Sequence, residues 1–392
     1  MPWRETCPMD QRRRFIDDWL REEWSFVGLC GSYGISPKTG YKWVDRFKAG
    51  GFEALADQSR ARDSHQNVTP QATAARIVQL RHQYPFWGAR KLKKRLKVLH
   101  PGQRWPATST IGSILKLNGL VRARRKRSRT PIYEGPFEGG LSPNDVWAAD
   151  FKGWFKTGDG TRIDPLTMTD LASKYLIRCR AVAETNGDSV RGQMTVAFQE
   201  FGMPRALRTD NGPPFASVGL GGLSELAVWL IRLGITPERI RPAHPQENGS
   251  HERMHKTLKE ATANPPKSNP RAQQRAFDDF KVQFNDERPH EAIGMLTPTE
   301  IYSPSERPFP RRLPEIEYRA GSVLRYVSDN GTIRFKDVQI YASNALIGQF
   351  VRLGEAEKGY NVWYGPVLLG ELDLENERIR RVPTKVLPMC PV

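Results

Sequence analysis

Three acidic residues, Asp150, Asp210 and Glu252, could perform chemistry together. Clustered carboxylates repel one another unless divalent cations neutralise them. Hard oxygen ligands suit Mg²⁺ or Mn²⁺. A pair of such ions can activate an attacking oxygen and stabilise the leaving oxygen in phosphodiester chemistry. If folding brings these acids together, we expect a phosphoryl-transfer site with two metal ions.

The segment that carries these acids, 143–303, has a mixed strand and helix pattern. Three hairpin-like strands come first, and helices and strands then alternate, which is the order of a ribonuclease H-like α/β fold. In that fold the positions of Asp150, Asp210 and Glu252 converge. The strands are predicted at 146–154, 163–169, 175–181, 205–209 and 235–240, and the helices at 188–201, 224–233 and 246–261.

Two helical blocks precede this core, at 1–60 and 61–125, and both have a helix-turn-helix pattern. In the first, Ser36 is predicted to cap the last helix, with Pro37 at its first position. In the second, Thr108 or Ser109 is predicted to cap the last helix. Polar residues on the outer faces of these two helices are the predicted DNA contacts. They are Lys38, Thr39, Lys42 and Arg46 in the first block and Ser109, Thr110, Ser113 and Lys116 in the second.

The net charge of +17 is concentrated in these helical blocks. Residues 1–142 carry +15, residues 143–305 are balanced and residues 306–392 carry +2. Such asymmetry indicates a polyanion partner, most often nucleic acid. The arginines and lysine at 124–127 begin a basic linker, predicted at 126–142, and are expected to contact backbone phosphates without reading sequence. These four residues are Arg124, Arg125, Lys126 and Arg127.

The composition excludes several other classes of protein. No segment has about 18 consecutive apolar residues, so no membrane-spanning helix is expected. The N-terminus lacks the apolar core of a secretory signal. Four cysteines without CxxC spacing indicate neither a disulfide framework nor a cysteine zinc site, which fits a reducing intracellular compartment.

The C-terminal segment has a pattern of its own. Prolines at 304, 308, 310 and 314 predict an extended linker, and short strands follow. A hairpin turn is predicted at Asp329-Asn330-Gly331. The segment 318–388 is therefore expected to form a small SH3-like β-barrel. Its low net charge leaves open whether the barrel contacts DNA or another protein.

Three stretches of the chain resemble the catalytic core of retroviral-integrase-like DDE transposases, in particular those of bacterial insertion sequences. They are VWAADFKGWF at 146–155, LRTDNGPPF at 207–215 and AHPQENGSHERMHKTLKE at 243–260. The segment 84–120 is similar to the helical DNA-binding block that often precedes this core. The resemblance implies that Asp150, Asp210 and Glu252 are the catalytic, metal-binding triad.

The resemblance also implies a function and its supporting residues. Such a protein binds the terminal inverted repeats of a mobile element, cleaves the DNA strand and transfers it to target DNA. We expect two Mg²⁺ or Mn²⁺ ions per site, a homo-oligomer on double-stranded DNA, and a cytoplasmic, nucleoid-associated location in a bacterium. The matching support residues are Asn211, Gly212, Asn248 and Gly249, and Lys256 and Lys259 match positions that reach donor-DNA phosphates.

The spacing of the second and third acids departs from the family. Forty-one residues separate Asp210 from Glu252, more than is usual, and Glu247 would fit the usual interval better. We prefer Glu252 because the glycine-rich stretch 217–224 lengthens the interval and because Glu247 falls in a turn. Asp164 and Asp170 are interpreted as turn and strand-end residues.

Three alternatives have some support in the sequence. His251-Glu-Arg-Met-His255 matches the HExxH zinc-protease signature, but no third ligand follows at a suitable spacing. The remaining histidines show no paired spacing and are assigned no metal. A DNA-binding regulator that has lost catalysis is disfavoured by the intact acids. A ribonuclease on the same fold is disfavoured by the two helix-turn-helix blocks.

Overall fold

The structure is a computed structural model that describes residues 7–57, 68–121, 142–217, 219–240, 249–356 and 359–380. The chain divides into two compact units, residues 1–69 and residues 70–392. No helix among the described residues is long and apolar enough to cross a membrane.

The first unit is a bundle of three helices, α1 (Pro8–Leu20), α2 (Phe26–Ser32) and α3 (Pro37–Gly50). The predicted cap of α3 is confirmed: Ser36 Oγ accepts a hydrogen bond from Thr39 N at 3.3 Å. α3 crosses α2 closely at Gly40, where a Cβ would lie 2.5 Å from Cys30 Sγ. The buried core consists of Phe15, Ile16, Leu29, Cys30, Val44 and Leu55.

The second helical block consists of α4 (Gln71–Gln83), α5 (Ala89–Leu99) and α6 (Thr108–Leu117). The prediction that Thr108 or Ser109 caps α6 was wrong. Ala107 occupies the N-cap position, and no side chain caps the helix. The helix begins with Thr108, so both hydroxyl residues already lie inside its first turn.

This block is attached to the core that follows it. Tyr84 Oη donates to Glu287 Oε2 at 2.7 Å, and an Arg95 guanidinium nitrogen lies 3.1 Å from Glu287 Oε1. The Glu287 carboxylate therefore contacts residues from both the end of α4 and the middle of α5. These contacts place the second helical block directly on the catalytic-core region.

The core is a mixed sheet whose element order agrees with the prediction. The sheet order is β4-β3-β1-β5-β6, and β2 pairs with the start of β3. β3 runs antiparallel to β1 and β4, whereas β1, β5 and β6 are parallel. The elements are β1 (Val146–Phe151), β2 (Phe155–Lys156), β3 (Arg162–Asp170), β4 (Leu176–Val182), α7 (Gly187–Phe201), β5 (Ala206–Thr209), α8 (Glu225–Arg232), β6 (Thr236–Arg239), α9 (Gly249–Thr262) and α10 (Pro270–Val282).

The segment after α9, for which no element was predicted, closes the open edge of this sheet. Gln274 of α10 bonds the backbone of Ala181 and Cys179 in β4, at 2.8 and 3.0 Å. Just after α10, Asn285 accepts from Leu176 N at 2.8 Å and donates to its carbonyl at 3.0 Å. An unpaired edge strand exposes backbone groups, and these amide side chains satisfy them.

The C-terminal segment forms a seven-stranded sheet that is nearly closed. The sheet order is β7-β10-β11-β12-β13-β9-β8, and its two edge strands, β7 and β8, contact each other. Six strands are predicted from the sequence, at 323–327, 332–335, 338–341, 350–353, 361–364 and 367–372; all six are present, and β13 is additional. The strands are β7 (Val323–Tyr326), β8 (Thr332–Phe335), β9 (Val338–Tyr341), β10 (Phe350–Ala356), β11 (Gly359–Tyr364), β12 (Val367–Asp373) and β13 (Arg378–Arg380).

This sheet packs directly on the catalytic core. Its buried residues form one hydrophobic cluster with Val228 and Ile231 of α8 and with Leu220 and Leu223 of the glycine-rich loop before α8. The proline-rich linker also packs against the core. There, Arg307 donates to the carbonyls of Pro204, Leu233 and Gly234, and the linker is thus part of the fold.

Asn285 bonds the backbone of the edge strand β4, and its replacement tests how much these bonds stabilise the fold. Replacing it (Asn285→Ala) leaves the buried N–H and C=O of Leu176 without partners. We expect a loss of about 2 kcal/mol or more in the free energy of unfolding of the 70–392 unit. Urea titration followed by tryptophan fluorescence measures it. Gln199→Ala, on the exposed side of α7, is the control and should have little effect; equal stability of both variants would contradict this interpretation.

Candidate active site

Asp150 lies near the end of β1, in the middle of the sheet. Residues 146–149 are buried, and Asp150 is paired with Thr167 of β3. The side chain of Asp150 is 19% exposed. The fold therefore fixes the backbone of this acid while leaving its carboxylate partly open to solvent.

Asp210 is oriented by the turn that follows β5. Gly212 N donates to Asp210 Oδ1 at 3.2 Å, and Asn211 Nδ2 donates to the carbonyl of Ile240 at 2.7 Å. A Cβ on Gly212 would lie 3.0 Å from Asp210 Oδ2. Glycine thus allows the backbone to approach the carboxylate closely. Both support residues predicted for this turn make contacts that shape it.

Glu252 lies in the first turn of α9, on its exposed side. The opposite side of α9 is buried, and Met254 and Leu258 pack there in a cluster with Phe277 and Phe280 of α10. α10 therefore fixes the position of the helix that carries the third acid. Gly249, a predicted support residue, is the first residue of α9.

Asp210 and Glu252 both act electrostatically on Asp150. The pKa of Asp150 is raised to about 7, first by burial and then by the negative charges of Asp210 and Glu252. Burial also raises the pKa of Asp210. Lys152 lowers the pKa of Asp150, but its effect is smaller. Asp210 and Glu252 thus act electrostatically on Asp150, and the convergence of the three acids in one metal site stays a prediction.

This donor set suits a divalent cation. Three carboxylates supply hard oxygen ligands, which Mg²⁺ and Mn²⁺ prefer. The raised pKa of Asp150 shows that its ionised form is disfavoured without a nearby cation. The residues present therefore fit the metal ions that the sequence led us to expect.

Two buried histidines of α9 extend the site. Thr167 Oγ1 lies 2.7 Å from His251 Nε2 and 2.6 Å from His255 Nε2, and Thr169 Oγ1 lies 2.8 Å from His251 Nδ1. His255 Nδ1 lies 3.8 Å from Asp150 Oδ2. Burial lowers the pKa of His251 to about 3 and, together with His251, that of His255 to about 2.

The sequence interpretation missed the place of these histidines in the site. It considered them only as a zinc-protease motif, together with Glu252. In the structure, ligand atoms of Asp150, His251 and His255 lie within 4.8 Å of one another, so these residues form a group able to hold a metal ion. The i, i+4 spacing of the two histidines already indicated a shared helix face. What it did not indicate is that this face meets Asp150.

The predicted DNA contacts of the first unit lie on α3. Lys38 and Lys42 are exposed, and Thr39 Oγ1 lies 3.0 Å from the Ser36 hydroxyl. The charged groups of Lys42 and Arg46 lie 5.1 and 5.0 Å from the centre of the Trp43 ring. The cationic groups are thus gathered around one aromatic side chain.

The other predicted DNA contacts belong to the second unit. Ser109, Ser113 and Lys116 are exposed on α6, whereas Thr110 is half-buried. Lys256 and Lys259 are exposed on α9, and Lys256 Nζ lies 3.9 Å from Glu260 Oε1. The predicted residues Arg124, Arg125, Lys126, Arg127 and Asn248, and the rejected Glu247, lie outside the described residues.

Comparison with known families agrees with this geometry. Residues 140–245 and 233–298 match the Integrase core domain. Residues 11–63 match a Helix-turn-helix domain, and residues 39–115 match a Homeodomain-like domain. The chain therefore carries an integrase core together with helix-turn-helix DNA-binding domains.

Bacterial insertion elements encode similar proteins. The chain is 28% identical over 245 residues to the "Insertion element IS407 uncharacterized 31.7 kDa protein" of Burkholderia multivorans, covering 62% of this chain and 83% of that protein. It is also 28% identical over 251 residues to the "Insertion element IS476 uncharacterized 39.2 kDa protein" of Xanthomonas euvesicatoria, covering 63% and 70%. The expected resemblance to insertion-sequence transposases with a retroviral-integrase-like core is confirmed.

The chain also has some similarity to solved structures. The catalytic core domain of HTLV-2 integrase in complex with magnesium is 18% identical, with a TM-score of 0.33, over 42% of this chain and 99% of that chain. A chain of the simian T-cell lymphotropic virus intasome is 18% identical, with a TM-score of 0.37, over 76% and 99%.

Thr167→Val tests the buried hydroxyl beneath the site. Valine has a similar shape but cannot bond His251 or His255, so buried ring nitrogens lose their partner. We expect a loss of about 1–3 kcal/mol in the free energy of unfolding, measured by urea titration. The matched control is Thr195→Val, which removes a hydroxyl bonded only within its own helix. A Thr167 variant as stable as that control would show that the network contributes nothing.

Proposed function

We propose that this protein is a DDE transposase. In this proposal it binds the terminal inverted repeats of an insertion sequence, cleaves one DNA strand and joins that strand to target DNA. The observation that carries the proposal is the match of residues 140–245 to the Integrase core domain, supported by the electrostatic effect of Asp210 and Glu252 on Asp150. The helix-turn-helix domains and the +15 charge of residues 1–142 supply the DNA-binding part.

The proposed chemistry has two successive displacements at phosphorus. In the first, a water oxygen bonds to phosphorus and the bond to the 3′ oxygen breaks, which leaves a free 3′-OH. In the second, that 3′-OH bonds to a target phosphorus and releases a target 3′ oxygen, to which a proton is returned. Asp150, Asp210 and Glu252 would hold two Mg²⁺ or Mn²⁺ ions, which supply charge stabilisation for both steps.

Other parts of the chain have proposed roles in positioning DNA. Lys256 and Lys259 on the exposed side of α9 would contact donor phosphates beside Glu252. The C-terminal sheet, which we infer to be an SH3-like barrel, would add an assembly or DNA-contacting surface. We further propose that the protein works as a homo-oligomer on DNA in the bacterial cytoplasm, because the two ends of an element must be held together.

Removing each acid tests the proposed catalysis. Asp150→Asn, Asp210→Asn and Glu252→Gln should each lower cleavage and strand transfer by at least about a thousandfold, because each removes a charge that holds metal. DNA binding should be retained. The assay is Mg²⁺-dependent nicking of a plasmid that carries the DNA flanking the reading frame.

Two further variants make this assay decisive. Asp188→Asn, on the exposed first turn of α7, is the matched control and should remain active. Glu247→Gln should also remain active. An inactive Glu247→Gln variant together with an active Glu252→Gln variant would show that the third acid was misassigned. A wild-type protein that binds element ends but never nicks them would favour the catalytically inactive regulator.

Lys42→Gln and Lys116→Gln test the predicted recognition helices. Each lysine is exposed on the last helix of its block. If they read bases, each variant should lower the preference for element-end over scrambled duplex by about tenfold, as lost base contacts do. Fluorescence anisotropy on both duplexes at two salt concentrations measures this. Lys267→Gln, exposed between α9 and α10, is the control, and an equal loss on both duplexes would indicate phosphate contacts only.

A further inference from the structure

An unusual pair of atoms faces each other at the edge of the candidate active site. His255 Nδ1 lies 3.8 Å from Asp150 Oδ2, which is too far for a direct hydrogen bond. The His255 side chain is only 8% exposed and that of Asp150 only 19%. The two groups are therefore held together in a largely water-excluded place without bonding each other.

The hydrogen bonds of Thr167 determine which ring nitrogen of His251 and of His255 carries the proton. A threonine hydroxyl has one proton to donate and two lone pairs that accept. Thr167 Oγ1 has three partners: the Asp150 carbonyl at 3.1 Å and the Nε2 atoms of His251 and His255. The carbonyl can only accept, so it receives the hydroxyl proton. Both Nε2 atoms must then donate to Thr167.

The two histidines differ in the partner of their second ring nitrogen, Nδ1. His251 Nδ1 accepts from the Thr169 hydroxyl, so both of its nitrogens are occupied. His255 Nδ1 keeps an unshared lone pair that faces the Asp150 carboxylate. A divalent cation between these two electron-pair donors would satisfy both of them.

We propose that His255 Nδ1 is an additional ligand of the divalent cation that Asp150 binds. This inference rests on the proposed metal site and deepens it, because the site then combines carboxylate oxygens with one imidazole nitrogen. Thr167 and His251 are positioning residues that hold the His255 ring in the ligating tautomer, as outer hydrogen bonds do for other metal-bound histidines. Nitrogen ligands favour transition-metal ions over Mg²⁺.

Pulsed electron paramagnetic resonance of Mn²⁺ bound to the full chain tests the assignment directly. We expect ¹⁴N modulation from a directly bound nitrogen in the wild-type protein. The modulation should disappear in His255→Asn and persist in His251→Gln and in the exposed-surface control His82→Gln. ¹⁵N-histidine labelling of the wild-type protein should change the modulation, which tests for a bound histidine nitrogen even if a variant fails to fold, and unchanged modulation would overturn the assignment.

Calorimetry gives a second readout that is independent of activity. His255→Asn should weaken Co²⁺ binding about tenfold and leave Mg²⁺ binding within about twofold, because only the nitrogen ligand is lost. Mn²⁺ bound without ¹⁴N modulation would overturn the His255 assignment and leave the carboxylate site standing. A wild-type protein that binds Mn²⁺ no better than Asp150→Asn would overturn the proposed metal site as well.

Discussion

Burial of an acid, Asp150, near the end of the central strand β1 is the constraint on which the candidate site depends. Burial, followed by the negative charges of Asp210 and Glu252, raises the pKa of Asp150 to about 7. Packing elsewhere must hold them in place. β1 is paired on both sides, Gly212 allows the turn to close around Asp210, and α9 is fixed by its apolar contacts with α10. The site is thus preorganised for positive charge.

The same packing explains the long interval between the second and third acids. The inserted glycine-rich loop contributes Leu220 and Leu223 to the cluster shared with the C-terminal sheet. At Gly221 a Cβ would lie 3.1 Å from Leu369 Cδ2, and the residue has φ 59°, a conformation that glycine adopts readily. The insert is therefore a surface on which the C-terminal sheet packs.

Most strands and helices of the fold could be predicted from the sequence, because strand alternation and helical spacing are local signals. Elements with few apolar residues could not be predicted: α10 buries only two apolar side chains, Phe277 and Phe280, and β13 is three residues long with only Ile379 buried. The α6 cap was misplaced because Thr108 and Ser109 both suit an N-cap, and only the backbone shows that Ala107 occupies it. The histidine pair was recognised as a motif, but a motif does not reveal which strand its helix face meets.

Anomalous diffraction from crystals of the protein soaked in Mn²⁺ tests the central claim most directly. The account predicts two manganese peaks that share the Asp150 carboxylate, with Asp210 and Glu252 completing the two coordination shells. A single peak held by His251 and His255 and remote from Asp210 and Glu252 would contradict it, as would the absence of any peak at these acids.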